Sequence, residues 1–397
     1  MRNKMITLAI AGKPNSGKST FFKASTLVDV EIAPYPFTTI SPNIGITHVR
    51  TKCVCKELLN DFCGNCVKGA RFIPVELIDV AGLVKDAHKG RGLGNEFLDN
   101  LRRAEAIIHV VDASGGTDAD GNIVGVGNHD PVEDVTFFEE ELRMWVFGII
   151  QRNWRKVLRR VELEGAKVER LLTEQLAGVG VSEAQMKAAL SKTVRVAGSN
   201  VKNWSDDALK MLAAHVVEES KKMLIAANKM DIAPREFLER LKKLDRIVIP
   251  CSAEMELALR TAAKNNIIRY LPGDPDFEIV ASITDAQRAA LEKMKKLLRE
   301  FGSSGVQECI NRAVFDLLDY IVVYPVEDEN KLCDSAGRTL PDAFLMKRGS
   351  TARDLAFAVH TEIGQSFLYA VDARTKRRLS ADYVLRDGDV IKIVHTR

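Results

Sequence analysis

The chain has 397 residues, more than one ordinary compact domain needs and suited to two or three. Hydrophobic residues make up 46% and charged residues 28%, a globular composition that excludes a disordered or fibrous protein. Lys and Arg number 57 against 54 Asp and Glu, and the formal +3 is too mild to mark a nucleic-acid binder by charge alone.

Residues 6–11 form an apolar run that breaks into Gly12-Lys13-Pro14-Asn15 and then a helical segment over 20–25. This reads as a buried first strand and not as an export signal. Between strand and helix stands Gly12-x-x-x-x-Gly17-Lys18-Ser19. Glycines there let backbone N–H groups wrap phosphates, Lys18 supplies a point charge for the outer phosphates, and the Ser19 hydroxyl can ligate Mg²⁺. The next segment, Tyr35-Pro36-Phe37-Thr38-Thr39-Ile40-Ser41-Pro42-Asn43, is a loop whose Thr could close over Mg²⁺ and a γ-phosphate, as the moving part of a switch does.

An insertion carries Cys53-x-Cys55-x7-Cys63-x2-Cys66. Four thiolates at this spacing could make a tetrahedral Zn²⁺ site; disulfide or redox pairing and plain free thiols are the competing readings. Seven Cys in a chain with no export signal otherwise suggest reduced thiols and a cytoplasmic location, with Cys251, Cys309 and Cys333 as plain buried residues. A second strand over 71–80 ends in Asp79-Val80-Ala81-Gly82, where a strand-end Asp can hold Mg²⁺ through water and Gly82 can offer its N–H to a γ-phosphate. A third strand spans 106–112, and His109 within it reads as a satisfied core histidine. Residues 117–122 look briefly like a calcium loop, but Gly116 and Gly127 fall where carboxylates are required, so that reading fails.

From about 131 to 215 the chain is charged and periodic, with Trp154, Val157, Leu158, Val161, Leu171, Leu172 and Leu176 at helical spacing. This predicts an inserted helical subdomain, a hairpin or short coiled coil, broken at Gly178 and Gly180. A fourth strand over 223–227 runs into Asn228-Lys229-Met230-Asp231, N-K-x-D. A carboxylate there can accept from the N1–H and amine of guanine, and adenine lacks that pair of donors. A fifth strand over 246–250 is followed by Ser252-Ala253-Glu254, whose backbone N–H groups would lie near the guanine oxygen. A metabolic P-loop kinase is disfavoured, since N-K-x-D has no role there. A second helical stretch covers 283–320. Beyond 321, strand-like pieces at 321–326, 367–373 and 389–395 surround one helix over 351–364, a separate small α+β unit. No apolar run is long enough to span a membrane.

The YPFTT-x-x-PN segment, DVAGLV and His88-Lys89-Gly90-Arg91-Gly92-Leu93-Gly94-Asn95-Glu96-Phe97-Leu98 resemble the Obg/DRG/YchF group of translation-factor-class GTPases. The C-terminal part, with its closing DGDVIKI, resembles a TGS domain, a ubiquitin-like β-grasp module. The combination is most similar to the archaeal and eukaryotic YchF-related branch. The resemblance implies an α/β P-loop NTPase fold, a mostly parallel sheet with helices on both faces, over 1–320. The helical insertion would interrupt it at about 131–215, and a TGS domain would occupy 321–397. It implies GTP hydrolysed to GDP and phosphate by a slow switch connected with ribosomes. Gly12, Lys13, Pro14, Asn15, Ser16, Gly17, Lys18, Ser19 and Thr20 would hold phosphates, Ser19 and Thr39 the Mg²⁺ with Asp79 outside, and Asn228, Lys229 and Asp231 the guanine. Lys18, Thr39 and Gly82 would serve catalysis.

Two departures bear on this. Bacterial YchF proteins carry a Glu-ended motif in place of N-K-x-D and prefer ATP, whereas here Asp231 restores the guanine reader. After Gly82, where Ras-like GTPases place a water-orienting Gln, this chain has Leu83, which can neither orient nor polarise water. Asn15 matches the Asn that in some GTPases of this class helps hold K⁺, a possible source of the missing charge. The basic residues Arg374, Lys376, Arg377 and Arg378, and Arg155, Lys156, Arg159 and Arg160 in the insert, could contact rRNA phosphates. No DNA or membrane partner is expected. The competing functions are an RNA- or ribosome-binding factor with incidental turnover and a YchF-like ATPase.

Overall fold

A computed structural model describes residues 5–27, 39–41 (backbone only), 43–80 and 100–396. Among the described residues, seven strands form one sheet: β1 (Thr7–Ala11), β2 (Thr39–Ser41), β3 (Ile44–Lys52), β4 (Ala70–Asp79), β5 (Ala106–Asp112), β6 (Lys222–Asn228) and β7 (Val248–Pro250), in the order β2-β3-β4-β1-β5-β6-β7. β4, β1, β5, β6 and β7 are parallel, while β3 runs antiparallel to β4 and β2 antiparallel to β3. The parallel strands are mostly apolar because helices cover both faces. Alternation along β1 shows it: Leu8 and Ile10 join one apolar cluster, Ala9 and Ala11 the other.

On the Leu8 face lie α1 (Lys18–Thr26) and, further along the chain, the helices Ala253–Lys264 and Val306–Arg312. The short helix α2 (Cys55–Leu59) sits in the β3–β4 connection. The Ala9 face is covered by α3 (Pro131–Glu164), a 34-residue helix about 50 Å long. Its start is marked by Pro131 in the first turn and by the Asp130 side chain accepting from Val132 N. Phe138, Leu142, Val146, Ile150, Trp154 and Val157 make its buried stripe. The insertion is thus more than the hairpin expected from its periodicity. It continues through α4 (Val168–Gln175), α5 (Glu183–Ala197) and α6 (Asp206–Ser220), and its apolar core is continuous with the sheet through Ile78, Val80 and Ile107. Trp154 and Trp204 stack with centroids 5.9 Å apart inside it.

Further helices of this part are α7 (Arg235–Lys242), α8 (Ala253–Lys264), α9 (Asp285–Phe301) and α10 (Val306–Arg312), with a two-stranded ribbon β8 (Ile268–Arg269) and β9 (Glu278–Ile279) before α9. The C-terminal sheet has five strands where three were read: β10 (Tyr320–Val326), β11 (Phe344–Lys347), β12 (Phe367–Asp372), β13 (Arg378–Leu379) and β14 (Val390–His395), in the order β11-β10-β14-β12-β13. Its helix is broken into α11 (Ala352–Val359) and α12 (Thr361–Gln365) at His360, which takes an extended conformation. Ile321, Val323, Leu355, Phe367 and Ile391 form its own core, while Val322, Tyr324 and Val326 on the other face of β10 join the large apolar cluster of the main sheet.

Candidate functional site: one edge of the main sheet

The register of the parallel strands brings their C-terminal ends to one edge. Ile10 pairs with Asp79, Ala11 with His109, and Asp112 with Asn228. Ligands of open α/β sheets bind at this edge. The loop after β1 is shaped by two glycines. A Cβ on Gly12 would lie 2.3 Å from Val110 O, and one on Gly17, at φ 96°, would lie 2.3 Å from Asn228 Nδ2. Asn15 also has positive φ (59°), which Asn tolerates better than most residues. Lys18 Nζ donates to Lys13 O at 2.7 Å and so closes the loop end to end. Burial draws Lys18 down to about 8, with the nearby Asp79 carboxylate pulling the other way. Ser19 Oγ donates to Asp79 Oδ2 at 3.3 Å, and burial raises Asp79 against the pull of Lys18. Ser16 Oγ is buried without a partner among the described residues. A glycine-made cradle, an orphaned hydroxyl and the uncapped N-terminus of α1 fit a polyphosphate, and the Ser19–Asp79 pair fits a hard cation with oxygen ligands.

The N-K-x-D segment is tied to that loop. Asn228 Nδ2 donates to Ser16 O at 2.9 Å, and its Oδ1 accepts from Ala253 N at 3.0 Å. Lys229, at φ 64°, donates to Asn15 O at 3.0 Å. Asp231 follows, half-buried, while Met230 is buried beneath and donates its N–H to Cys251 O. Ser252 Oγ caps α8 by accepting from Met255 N, and Glu254 is exposed. Direct contacts therefore join the Gly12–Ser19 loop to Asp79, to Asn228 and Lys229 and, through Asn228, to Ala253, while Thr20, Asp231, Ser252 and Glu254 adjoin these positions along the chain. Thr39 belongs to β2 by its backbone, and its side chain is outside the described set. Gly82, Leu83, the 88–98 motif and residues 35–38 also lie outside the described residues.

Two features of this edge were not read from the sequence. Asp112, fully buried at the end of β5, accepts from Lys229 Nζ at 2.8 Å, from Thr117 Oγ1 at 2.9 Å and from Ser114 Oγ. Burial would raise its pKa, yet these donors outweigh burial and hold it below the usual carboxylate range. The only sequence signal was a lone acid closing an apolar run. The second feature is a buried clasp. Lys13 Nζ donates to Thr117 O at 2.7 Å and pairs with Asp134 at 2.7 Å, and His129 Nε2 lies 2.8 Å from the same carboxylate. It fastens the phosphate loop to the first turns of α3. The 113–130 loop lies over the site: Gly121 O accepts from Asn15 Nδ2, and a Cβ on Gly121 would lie 2.8 Å from Pro14. The false calcium segment within it is a turn closed by Asp118 on the N–H groups of Asp120 and Asn122.

A cavity of about 350 Å³ opens between this loop and Asn15, Lys229 and Ile232. A larger one, about 640 Å³, lies at the other ends of β6 and β7 by Lys222 and Arg246 and contains none of the motif residues. Topology, not size, locates the site. His109 is buried as expected and stacks on Phe138 at 4.3 Å, but its Nδ1 has no partner among the described residues, so it is not the satisfied histidine read from the sequence. Burial, with Lys18 and Lys13 nearby, lowers it to about 3, which keeps it neutral. Cys251, Cys309 and Cys333 are buried free thiols. Cys53, Cys55, Cys63 and Cys66 converge at the opposite end of β3 and β4. Among the described residues no helix is long and apolar enough to cross a membrane.

A family model described as 50S ribosome-binding GTPase matches residues 7–137. Another, for the G4 motif-containing domain of YGR210-like, Obg-like GTPases, matches 226–328, and the TGS domain matches 337–395. An uncharacterized GTP-binding protein of Methanocaldococcus jannaschii is 51% identical over 98% of this chain and 99% of its own. The ribosome-binding ATPase YchF of Bacillus subtilis is 27% identical over 97% and 98%. The crystal structure of a GTP binding protein from Pyrococcus horikoshii OT3 has a TM-score of 0.77 at 42% identity, covering 98% of this chain and 100% of that one. With the phosphate loop, N-K-x-D and a TGS segment in one chain that aligns end to end with such relatives, the protein belongs to the YchF-type, Obg-like family of GTP-binding proteins.

Proposed function

We propose that this protein hydrolyses GTP to GDP and phosphate as a slow cytoplasmic switch whose state is read by the ribosome. The observation that carries the reading is Asn228, whose one side chain bonds both the phosphate loop at Ser16 and the base-proximal Ala253 N–H, with Asp231 three residues on. On this reading residues 1–320 are the nucleotide-binding unit, interrupted at about 131–215, and 321–397 the TGS unit. Gly12 to Thr20 hold the phosphates, and Asp231, with Asn228, Lys229 and the 252–254 turn, selects guanine. Ser19 and Thr39 hold Mg²⁺ with Asp79 outside them, and the ion adds positive charge beside the phosphates. Water attacks the γ-phosphorus as the bond to the β–γ bridging oxygen breaks. Lys18 steadies the charge on the transferring group, and the Gly82 N–H holds a γ-oxygen.

Leu83 contributes no proton chemistry, so the remaining charge comes from outside that position. Asn15 spends its Nδ2 on Gly121 O, which leaves its Oδ1 to face a K⁺. For the ribosome, Arg155, Lys156 and Arg159 are exposed on α3, whereas Arg160 and Arg374 are engaged by Glu164 and Glu174 and by Glu57. The ribosome-binding name of the B. subtilis relative supports the partner, and its ATPase name supports a second reading that differs only at the base. The test is single-turnover hydrolysis in K⁺ and Na⁺, with and without ribosomes. The unassisted rate should be ~10⁻⁴ to 10⁻² s⁻¹ and should rise with K⁺ or ribosomes. No response to either would make the protein a passive nucleotide-holding factor, and ATP binding as tight as GTP would make it an ATPase.

A further inference from the structure

β3 and β4 pair over nine residues, so Cys53, which follows β3, stands roughly 30 Å along the strands from Asp79. There the chain turns through α2 and Cys63-Gly64-Asn65-Cys66 and re-enters the sheet at Ala70. Sulfur-to-sulfur distances are 3.7 Å for Cys53–Cys63 and 3.6 Å for Cys55–Cys66, and all four lie within 4.8 Å of one another. A disulfide needs about 2.05 Å. Four thiolates each about 2.3 Å from one tetrahedral ion stand about 3.8 Å apart. The two shortest separations match the edge of that tetrahedron, and the rest, within 4.8 Å, are close enough to share one ion and far too long for disulfides. Three of the thiols are buried and Cys66 half-buried.

The surroundings suit a negatively charged centre. Arg71, 4% exposed, brings Nη1 to 4.0 Å from Cys63 Sγ, and no described carboxylate pairs with it. A lone buried cation beside four neutral thiols is costly. Beside a divalent ion with four thiolates, net charge −2, it is compensated. The backbone is already bent to the purpose by Gly64 at φ 76° and Gly69 at φ 84°, and Cys53 N donates to Gly69 O at 2.8 Å.

The same loop carries the C-terminal unit. Arg71 donates to Leu340 O at 3.0 Å and Pro341 O at 2.8 Å, and Asn65 Nδ2 donates to Thr339 O at 2.9 Å. Cys53, Cys55 and Cys63 share an apolar cluster with Tyr324, Val326, Leu332 and Leu340. We propose that Cys53, Cys55, Cys63 and Cys66 bind one Zn²⁺ in a closed structural site, releasing their thiol protons, and that the metal shapes the loop on which the 332–341 segment and the C-terminal sheet dock. Four soft ligands in tetrahedral array select zinc over harder divalent ions, and no position is left open for catalysis.

The full-length protein, purified under reducing conditions without chelator, should contain about one Zn per chain. Its Co²⁺-substituted form should show the visible bands of a tetrahedral tetrathiolate, and Cys66→Ser should lower zinc content at least tenfold. Stripping zinc from the wild type with a mercurial and chelator should accelerate amide exchange in 332–341 at least tenfold and leave GTP affinity within twofold. Absence of metal, with the four thiols titrating freely or recovered as two disulfides, would overturn the site. Metal whose removal leaves exchange in 332–341 unchanged would overturn its docking role. Because the wild type supplies both readouts, a Cys66→Ser variant that fails to fold does not blunt the test.

Discussion

Asp231 and Lys18 carry the two residue-level tests of the nucleotide reading. Asp231→Asn replaces an acceptor pair with an amide, which mismatches the guanine edge and complements xanthine. The loss of GTP affinity should be about 100-fold or more, with a gain for xanthosine triphosphate, measured by competition binding. Equal affinities of wild type and variant for GTP would remove Asp231 from the base pocket. Lys18 is held at about 8 by burial against an ordinary 10.5. Between these values the unfolded chain binds more protons than the folded one, so this group makes the nucleotide-free protein more stable as pH rises through that window. A bound polyphosphate favours the charged amine, so binding at pH 9 should draw in up to about one proton, and binding at pH 7 almost none. Calorimetry in two buffers of different ionisation heat measures this. Lys18→Ala should lose both the uptake and hydrolysis; uptake unchanged in the variant would assign it elsewhere.

At the scale of elements, the clasp of Lys13, Asp134 and His129 joins the phosphate loop to α3. Asp134→Ala strands Lys13 as a buried charge and should cost about 3–5 kcal/mol in denaturant unfolding. Lys13→Met combined with Asp134→Leu should recover much of that loss, because it removes both charges. A cost below about 1 kcal/mol for Asp134→Ala would mean that water reaches the pair. The clasp also shows what a sequence hides. Gly12 to Thr20 is legible because phosphate binding imposes its spelling on adjacent residues. Lys13 and Asp134 are 121 positions apart, and nothing local in either names the other. β3 went unread for a related reason. Its segment IGITHVRTK alternates imperfectly, and full burial of Thr47 beneath α1, where its hydroxyl reaches Ser25 O, breaks the polar-out pattern. The cysteines were legible as spacing, but their convergence depends on how β3 and β4 pair.

Over the whole molecule, the sheet order separates chain neighbours and gathers distant segments. The five parallel strands were legible as apolar runs because both faces are covered. The extent of the helical cover was not, since periodicity shows that a helix has a buried stripe and not what it is buried against. The hydrogen bond from Asn228 to Ser16 spans 212 positions. At about 5–20 residues per second of synthesis, the finished phosphate loop waits about 10–40 s for the residue that ties it to the base loop. In that interval the ribosome makes α3, α4, α5 and α6, which can fold on the exposed Ala9 face of the sheet. The order of birth is therefore phosphate loop, helical cover, N-K-x-D segment, C-terminal sheet. On the proposed reading, the two halves of the nucleotide site are joined only after Ala253 has left the exit tunnel. At that moment the helical surface is already built and the C-terminal unit is still to come.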